Sequence, residues 1–425
     1  MQVALDIDNL DRALKIAEES VEGGIDWIEA GTLLIKSEGM RAIRELKKLY
    51  PSKTIVADMK TVDTGKFEVE VASKSGADVV IILGVSDDST IKEAIRAGHK
   101  YGAKIMADLI TVSDKIKRAR ELEELGLDYI CIHVGIDQQM DGKSPLEYVR
   151  TIKDKVNMPI AAAGGINSET AVSIHEAGAE IIIVGGAITK AKDCKSATEV
   201  IRKSISQKKA IRTELFKKYS DQELYEVFQK VSTANLADAM HRKNTMKNIH
   251  PITKVHKMAG KAITVNTMLG DWAKTVEAID IADSESVIVI NAGGGELAVW
   301  GELATNSCLQ KKVRGVVIDG GVRDVLDIRG LNFPIYAKFI TPEAGEPKGH
   351  GEINTRIICG GVNVVPGDYI VGDDDGVIVV PKKRAKEIAN RALDVLEREN
   401  RIREEIQRGS TLSAILELNK WEKIG

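Results

Sequence analysis

Eight times in the first 210 residues a short, apolar, β-rich run gives way to an amphipathic helical run. This alternation leaves the chain few folds to choose from. The strand candidates are Val3–Ile7, Trp27–Ala30, Thr54–Met59, Val79–Leu83, Lys104–Ile110, Tyr129–Val134, Pro159–Ala163 and Ile181–Val184. They are nearly continuous apolar runs, as expected of parallel strands covered on both faces. Between the first two, Leu10, Ala13, Leu14, Ala17 and Val21 fall on one helical face; after the second, Met40, Ile43 and Leu46 do the same. Eight such units argue for an α/β fold closed as a (β/α)₈ TIM barrel over residues 1–208. An open, doubly wound sheet is the alternative, because periodicity alone does not show closure.

The alternation stops near residue 205. Ser204–Ser220 (SISQKKAIRTELFKKYS) is rich in Lys and Arg, and residues 209–220 read as a basic, solvated helical linker. The texture then changes. Gly, Asn and Asp turns separate β runs at Ala262–Val265, Ser286–Ile290, Arg314–Ile318 and Ile335–Phe339. Pro366–Pro381 has the pattern of two strands joined by an Asp-rich turn ending in Gly376. Residues 221–385 are therefore expected to form a second α/β domain with β-hairpins. C-terminal helices are expected over 386–425: a charged amphipathic one at Lys382–Ile406 and a short one starting at Ser410 or Thr411. A chain of 425 residues accommodates two or three domains.

A formal net charge of -3 and an aromatic content of 4% argue against a nucleic-acid partner. No apolar run reaches the roughly 18 residues of a membrane span. The N-terminal MQVALDIDNLDRALK carries acids where a secretory signal needs an apolar core. Cys131, Cys194, Cys308 and Cys359 are scattered, which suits reduced thiols better than disulfides or a zinc site. A cytoplasmic location is expected.

In a (β/α)₈ barrel the reacting groups stand at the C-terminal ends of the strands. Those ends carry Asp6, Glu29, Asp58 with Lys60, Asp108 and His133. One charge at a strand end is ordinarily a cap or a paired structural residue; the recurrence of charges at equivalent ends points to a site. Gly164–Gly165 and Gly185–Gly186 follow strands 7 and 8, where bare backbone N–H groups commonly hold a phosphate; tight turns are the plainer reading of either pair alone. In ADMKTVD, Asp58 and Lys60 lie two apart on one strand and point to the same side, with Asp63 on the next loop. Such a set can hold a cation, stabilise an enediolate and pass a proton.

The segments LDID, WIEAGT, ADMKTVDTG, LGVSDD, ICIHVG, AAGGI and IVGGAIT resemble the 3-hexulose-6-phosphate synthase family over about residues 1–208. That family lies in the orotidine-5'-phosphate decarboxylase superfamily and shares its D-x-K-x-x-D motif, here Asp58, Lys60 and Asp63. The resemblance implies an aldehyde-lyase that joins D-ribulose 5-phosphate to formaldehyde reversibly, with Mg²⁺, as a homo-oligomer. It implies that Glu29 and Asp58 hold the metal, Lys60 stabilises the enediolate and His133 transfers the proton. Asp63 would act across a dimer interface, Asp6 and Asp108 would orient hydroxyls or metal, and Gly164, Gly165, Gly185 and Gly186 would hold the phosphate. A decarboxylase of 3-keto-L-gulonate 6-phosphate carries nearly the same set and is the alternative within the superfamily.

In the second half, VVIDGGVRDVLDI (Val316–Ile328) reads as strand, glycine turn and helix, with Arg323 and Asp324 near the turn and Asp327 one helical turn on. An Arg beside an Asp there can bind a carboxylate and a metal ion; a surface salt bridge is the plainer reading. Gly293–Gly295 stands before an expected helix, another anion-binding shape. TANLADAM, GELAT, VIDGGVRDVLDI and VGDDDGVIVVP resemble the family of the regulator of ribonuclease E activity. That family includes metal-dependent aldolases of 4-hydroxy-4-methyl-2-oxoglutarate and non-catalytic members that bind a ribonuclease. The resemblance implies that Asp324 ligates Mg²⁺ and Arg323 binds a 2-oxoacid, with Glu302 and Asp238 as weaker candidates. A chiefly regulatory, protein-binding chain is the competing class.

Overall fold

The computed structural model describes residues 1–254 and 257–422. The chain divides into two compact units, residues 1–218 with 397–425, and residues 219–396.

The first unit is built on a closed barrel of eight parallel strands in sequential order. They are β1 (Gln2–Leu5), β2 (Trp27–Ala30), β3 (Thr54–Thr61), β4 (Val79–Leu83), β5 (Lys104–Asp108), β6 (Tyr129–His133), β7 (Ile160–Ala163) and β8 (Ile181–Val184). Closure comes from β1 pairing with β8, Gln2 opposite Ile183. The open-sheet alternative is thereby excluded. Strand alternation sorts the side chains. Val3, Leu5, Ile28, Ala30, Ile55 and Ala57 face the outer helices in one large buried cluster. Ala4, Val56, Val79, Ile81, Met106, Cys131, Ala161, Ala163, Ile181 and Ile183 fill the barrel. That filling makes the interior a packed core rather than a pore, and leaves room for chemistry only at the mouth.

Helix positions follow apolar spacing and capping. The helix Leu10–Glu22 starts where the Asn9 side chain accepts a hydrogen bond from the Arg12 N–H, and it buries Leu10, Ala13, Ile16, Ala17 and Ser20. The helix Arg41–Leu49 buries Ala42, Ile43 and Leu46.

The expected helical linker is not a helix. The helix Cys194–Ser206 ends, and residues 209–218 run irregularly against the barrel. Local Lys/Arg content favoured a helix, but tertiary hydrogen bonds to the loop after β7 take the backbone instead. From Glu397 onward the C-terminal residues also cluster with the barrel. Arg401, 4% exposed in its side chain, is the anchor: its guanidinium donates to the carbonyls of Ala191 and Lys192 at 3.1 Å each and to Glu405 at 2.9 Å. The expected long charged helix is Ala385–Gln407, and the short one is Leu412–Leu416, capped by Thr411.

The second unit is a mixed sheet with a parallel centre. Met258–Thr267, Ser286–Asn291, Gly315–Val322 and Ile335–Ile340 are parallel neighbours in that order. The Pro366–Pro381 segment forms the expected hairpin, Tyr369–Asp373 against Gly376–Val380. Two local expectations are corrected. Gly320 and Gly321 lie inside the strand Gly315–Val322, at a register shift between Ile318 and Gly321, so there is no glycine turn. Gly293–Gly295 precedes the short strand Ala298–Trp300, and the helix begins only at Glu302. At Gly320–Gly321 pairing in the sheet overrides the local turn signal carried by glycine, whereas Gly293 and Gly294 form a turn that leads into a strand rather than a helix.

Candidate active site

The mouth of the barrel holds a cavity of about 130 Å³. Its lining includes Asp6, Glu29, Asp58, Lys60, Asp108 and His133, together with Gly164, Gly165, Gly185 and Gly186. Ten residues singled out from the sequence of the first half thus meet in one space. Alternation explains most of this: each acid lies two residues beyond an interior position, Glu29 beyond Trp27, Asp58 beyond Val56 and Asp108 beyond Met106.

Lys60 arrives by a different route from the one the spacing suggested. Asp58 pairs with Ile81 and Thr61 with Ile82, leaving Met59 and Lys60 unpaired on β3. Lys60 adopts φ 48 in this bulge, a conformation that a non-glycine residue holds only where its surroundings impose it. The bulge delivers its ammonium to Asp58 at 2.6 Å and to within 3.5 Å of Asp108.

The electrostatics are those of crowded carboxylates. Glu29, Asp58 and Asp108 are each at most 4% exposed. Burial, then the neighbouring Asp58 and Asp6, push the Glu29 carboxyl well above its usual range. Solvent reaches Asp6 at the mouth, yet the protein surrounding it and then Asp58 push its carboxyl up as well. Burial also raises Asp108, but its hydrogen bond and attraction to His133, together with Lys60, outweigh this and hold it below the usual range. Burial works against the Lys60 ammonium, but Asp58 and Asp108 outweigh it, so Lys60 stays charged.

Hydrogen bonds fix the orientations. Thr32 donates its hydroxyl to Asp58 Oδ2 at 2.7 Å, and the Gln2 amide donates to Glu29. Asp108 Oδ1 accepts from the Ile110 N–H at 2.8 Å, and Oδ2 lies 2.7 Å from His133 Nδ1. An ionised carboxylate only accepts, so the imidazole donates from Nδ1 and turns Nε2 away from Asp108.

Among the described residues no three carboxylate, imidazole or thiol groups stand together so as to hold a metal ion by themselves. The donor set nevertheless fits a divalent cation. Asp58 Oδ1 is buried without a hydrogen-bond partner, and four carboxylates face one ammonium. Mg²⁺ ordinarily takes only one or two protein carboxylates and fills its remaining positions with water and substrate oxygens.

Just after β7 Gly164 has φ 107, and a Cβ there would stand 2.3 Å from the Val134 carbonyl oxygen. Glycine is therefore required at this turn. A Cβ on Gly185 would meet open space, so its backbone faces the cavity uncovered.

Asp63 is exposed outside this cavity, and its carboxylate accepts from the Thr64 N–H at 2.7 Å. Sequence reasoning assigned no role to Thr32, Gln2, Cys131, Gln139 and Phe216. Thr32 stands within the quoted WIEAGT, and Leu215–Phe216 interrupt the basic run; an apolar pair there is a signal of burial.

In the second unit a groove is lined by Gly301, Leu303, Arg323 and Asp324, with Trp272 and Trp300. Arg323 Nε lies 3.6 Å from Asp324 Oδ2, which accepts from the Glu302 N–H at 3.2 Å. The Glu302 side chain bonds to Asn306 instead. Asp238 lies 3.9 Å from Arg242, just past the end of its helix Thr233–Ala239, and neither Asp238 nor Asp327 lines the groove. No helix of the described residues is long and apolar enough to cross a membrane.

Residues 1–201 match the model of the orotidine 5'-phosphate decarboxylase / HUMPS family, and residues 233–379 match that of the aldolase/RraA family. The 3-hexulose-6-phosphate synthase of Bacillus subtilis is 40% identical over 208 residues, 49% of this chain and 99% of that protein. The enzyme of the same name from Staphylococcus epidermidis is 40% identical over 209 residues, with the same shares. A crystal structure of 3-hexulose-6-phosphate synthase from Salmonella typhimurium is 38% identical and covers 49% of this chain and 98% of that one, with a TM-score of 0.47. The chain belongs to the orotidine 5'-phosphate decarboxylase / HUMPS family through its N-terminal barrel, fused to an RraA-like domain.

Proposed function

We propose that the barrel is a Mg²⁺-dependent aldol lyase of the 3-hexulose-6-phosphate synthase type. It interconverts D-ribulose 5-phosphate plus formaldehyde and D-arabino-hex-3-ulose 6-phosphate. The observation that carries this reading is the meeting of Asp6, Glu29, Asp58, Lys60, Asp108 and His133 with two glycine loops in one cavity. The 40% identity to enzymes of that name over 99% of their length supports it.

The glycine loops at Gly164–Gly165 and Gly185–Gly186 bind the phosphate through backbone N–H groups, which directs the ketose end toward the acidic wall. A divalent cation held by Glu29 and Asp58 would polarise the C2 carbonyl and acidify the C1 proton. His133 Nε2 removes that proton, and Asp108 stabilises the imidazolium that results. The Lys60 ammonium stabilises the negative charge that develops on the enediolate oxygens. Asp6 orients sugar hydroxyls at the mouth. Asp63 lies on an exposed loop beside Val62 and Phe67, 58% and 68% exposed, where it would reach the cavity of a second copy in a homo-oligomer.

For the second unit we propose a 2-oxoacid site at Arg323 and Asp324, the Arg pairing with a carboxylate and the Asp with Mg²⁺. The support is their shared groove with Gly301.

The test is formaldehyde consumption with ribulose 5-phosphate, with and without Mg²⁺. Metal-dependent consumption is expected. Folded protein that consumes none, or that releases carbon dioxide from a 3-keto sugar acid phosphate instead, overturns the synthase reading.

A further inference from the structure

The match to the barrel family ends at residue 201, yet a residue beyond it forms part of the cavity. Phe216 is 6% exposed and lines the mouth beside Gly185 and Gly186. Its ring lies so close to Gly186 that a Cβ there would come within 2.3 Å of Cε2. The segment carrying it is tied to the loop after β7. The Ile211 N–H donates to the Ser168 carbonyl at 3.1 Å, and the Ser168 hydroxyl donates to the Ile211 carbonyl at 2.7 Å. The Thr213 N–H donates to Glu169 at 2.8 Å. The Phe216 backbone is held on both sides, its N–H by the Glu397 carboxylate at 2.5 Å and its carbonyl by the Asn167 amide at 3.3 Å. Phe216 has φ 55. A bulky residue adopts that conformation only under constraint from its surroundings. The ammonium groups of Lys190 and Lys218 stand 5.2 and 4.3 Å from the ring centroid, so the wall beside the glycine loops is both apolar and positively flanked.

We propose that Phe216 is a substrate-binding wall supplied by the segment after the barrel, and that it sets the affinity of the site for the phosphate ester. This rests on the sugar-phosphate reading above. The ring packs against Gly186, next to the uncovered backbone of Gly185. By keeping water from that corner it strengthens the hydrogen bonds that the bare N–H groups make to a phosphate. The ring meets Gly186, Lys190 and Lys218 rather than the acids or His133, so the wall acts on binding and leaves the chemical step alone.

The experiment compares the full chain with Phe216→Ala and Phe216→Leu. It measures KM and kcat for ribulose 5-phosphate, and calorimetric Kd values for ribulose 5-phosphate and inorganic phosphate, with melting curves to confirm the fold. Phe216→Ala is expected to raise KM and both Kd values about tenfold, with kcat within about twofold of wild type and Phe216→Leu in between. Wild-type binding that persists unchanged in folded Phe216→Ala, or in Phe216→Leu should the alanine variant not fold, overturns the wall alone. Wild-type protein that binds neither ligand overturns the sugar-phosphate reading and the wall with it.

Discussion

Asp108→Asn tests the proton-transfer assignment most directly. The carboxylate is 3% exposed in its side chain, 2.7 Å from His133 Nδ1 and 3.5 Å from Lys60 Nζ. The amide keeps the shape and still accepts from the Ile110 N–H. Its –NH₂ group, however, can only donate toward Nδ1. The imidazole must then move its proton to Nε2, or lose the contact, and the lone pair that faced the substrate is gone. A hydrogen bond to a charged partner contributes about 1.5–3 kcal/mol, which corresponds to a fall in kcat of roughly 10- to 150-fold. KM should change little, because Asp108 holds His133 and Lys60 rather than the glycine loops. The assay is steady-state formaldehyde consumption. A second readout is stability against pH. The folded pKa of Asp108 is depressed, so its ionised form contributes stability that is present above the unfolded value of about 3.9 and is lost as pH falls through the lower folded value. The variant should therefore melt below wild type at neutral pH, and the gap should close on acidification below about pH 4. A kcat within threefold of wild type in a folded variant would refute the orienting role.

Other expectations follow from the same geometry. The folded pKa of Glu29 is raised, so its stability contribution is full below the unfolded value of about 4.3 and is lost as pH rises through the folded one. Glu29→Gln without metal should consequently melt above wild type at neutral pH and gain less from added Mg²⁺; a lower melting point at every pH would contradict this. Asp58→Ala should abolish formaldehyde consumption and weaken Mg²⁺ binding while the second unit stays folded, and unchanged turnover would remove Asp58 from the metal site. Gly164→Ala, forced toward the Val134 carbonyl at φ 107, should cost about 1–3 kcal/mol of stability and raise KM, measured by melting and kinetics; wild-type values in both would show that the loop relaxes. Arg323→Ala should leave sugar-phosphate turnover intact, and its loss would show that the two units are catalytically coupled.

The sequence by itself determined the barrel, its eight strands and most of its acidic mouth. These follow from local rules: continuous apolar runs make covered strands, and strand alternation puts Glu29, Asp58 and Asp108 on the side of the interior residues. It also determined the hairpin at Tyr369–Val380, where the Asp-rich turn and Gly376 suit a tight reversal. Tertiary structure alone decided the rest. Spacing suggested that Lys60 continues the strand, whereas a bulge with φ 48 aims it, because the carboxylates of Asp58 and Asp108 draw the ammonium inward. Gly320–Gly321 and Gly293–Gly295 carried turn and helix-start signals, but pairing partners many residues away fixed them in or before strands. The basic run after residue 205 had a helical composition and ended as an irregular strap. Its backbone partners, Ser168, Glu169 and Asn167, lie more than 40 residues upstream, and the contact of Phe216 with Gly186 exists only once the barrel has closed. Alternation and turn chemistry are written in neighbouring residues; which distant groups satisfy a backbone or charge is settled when the chain packs.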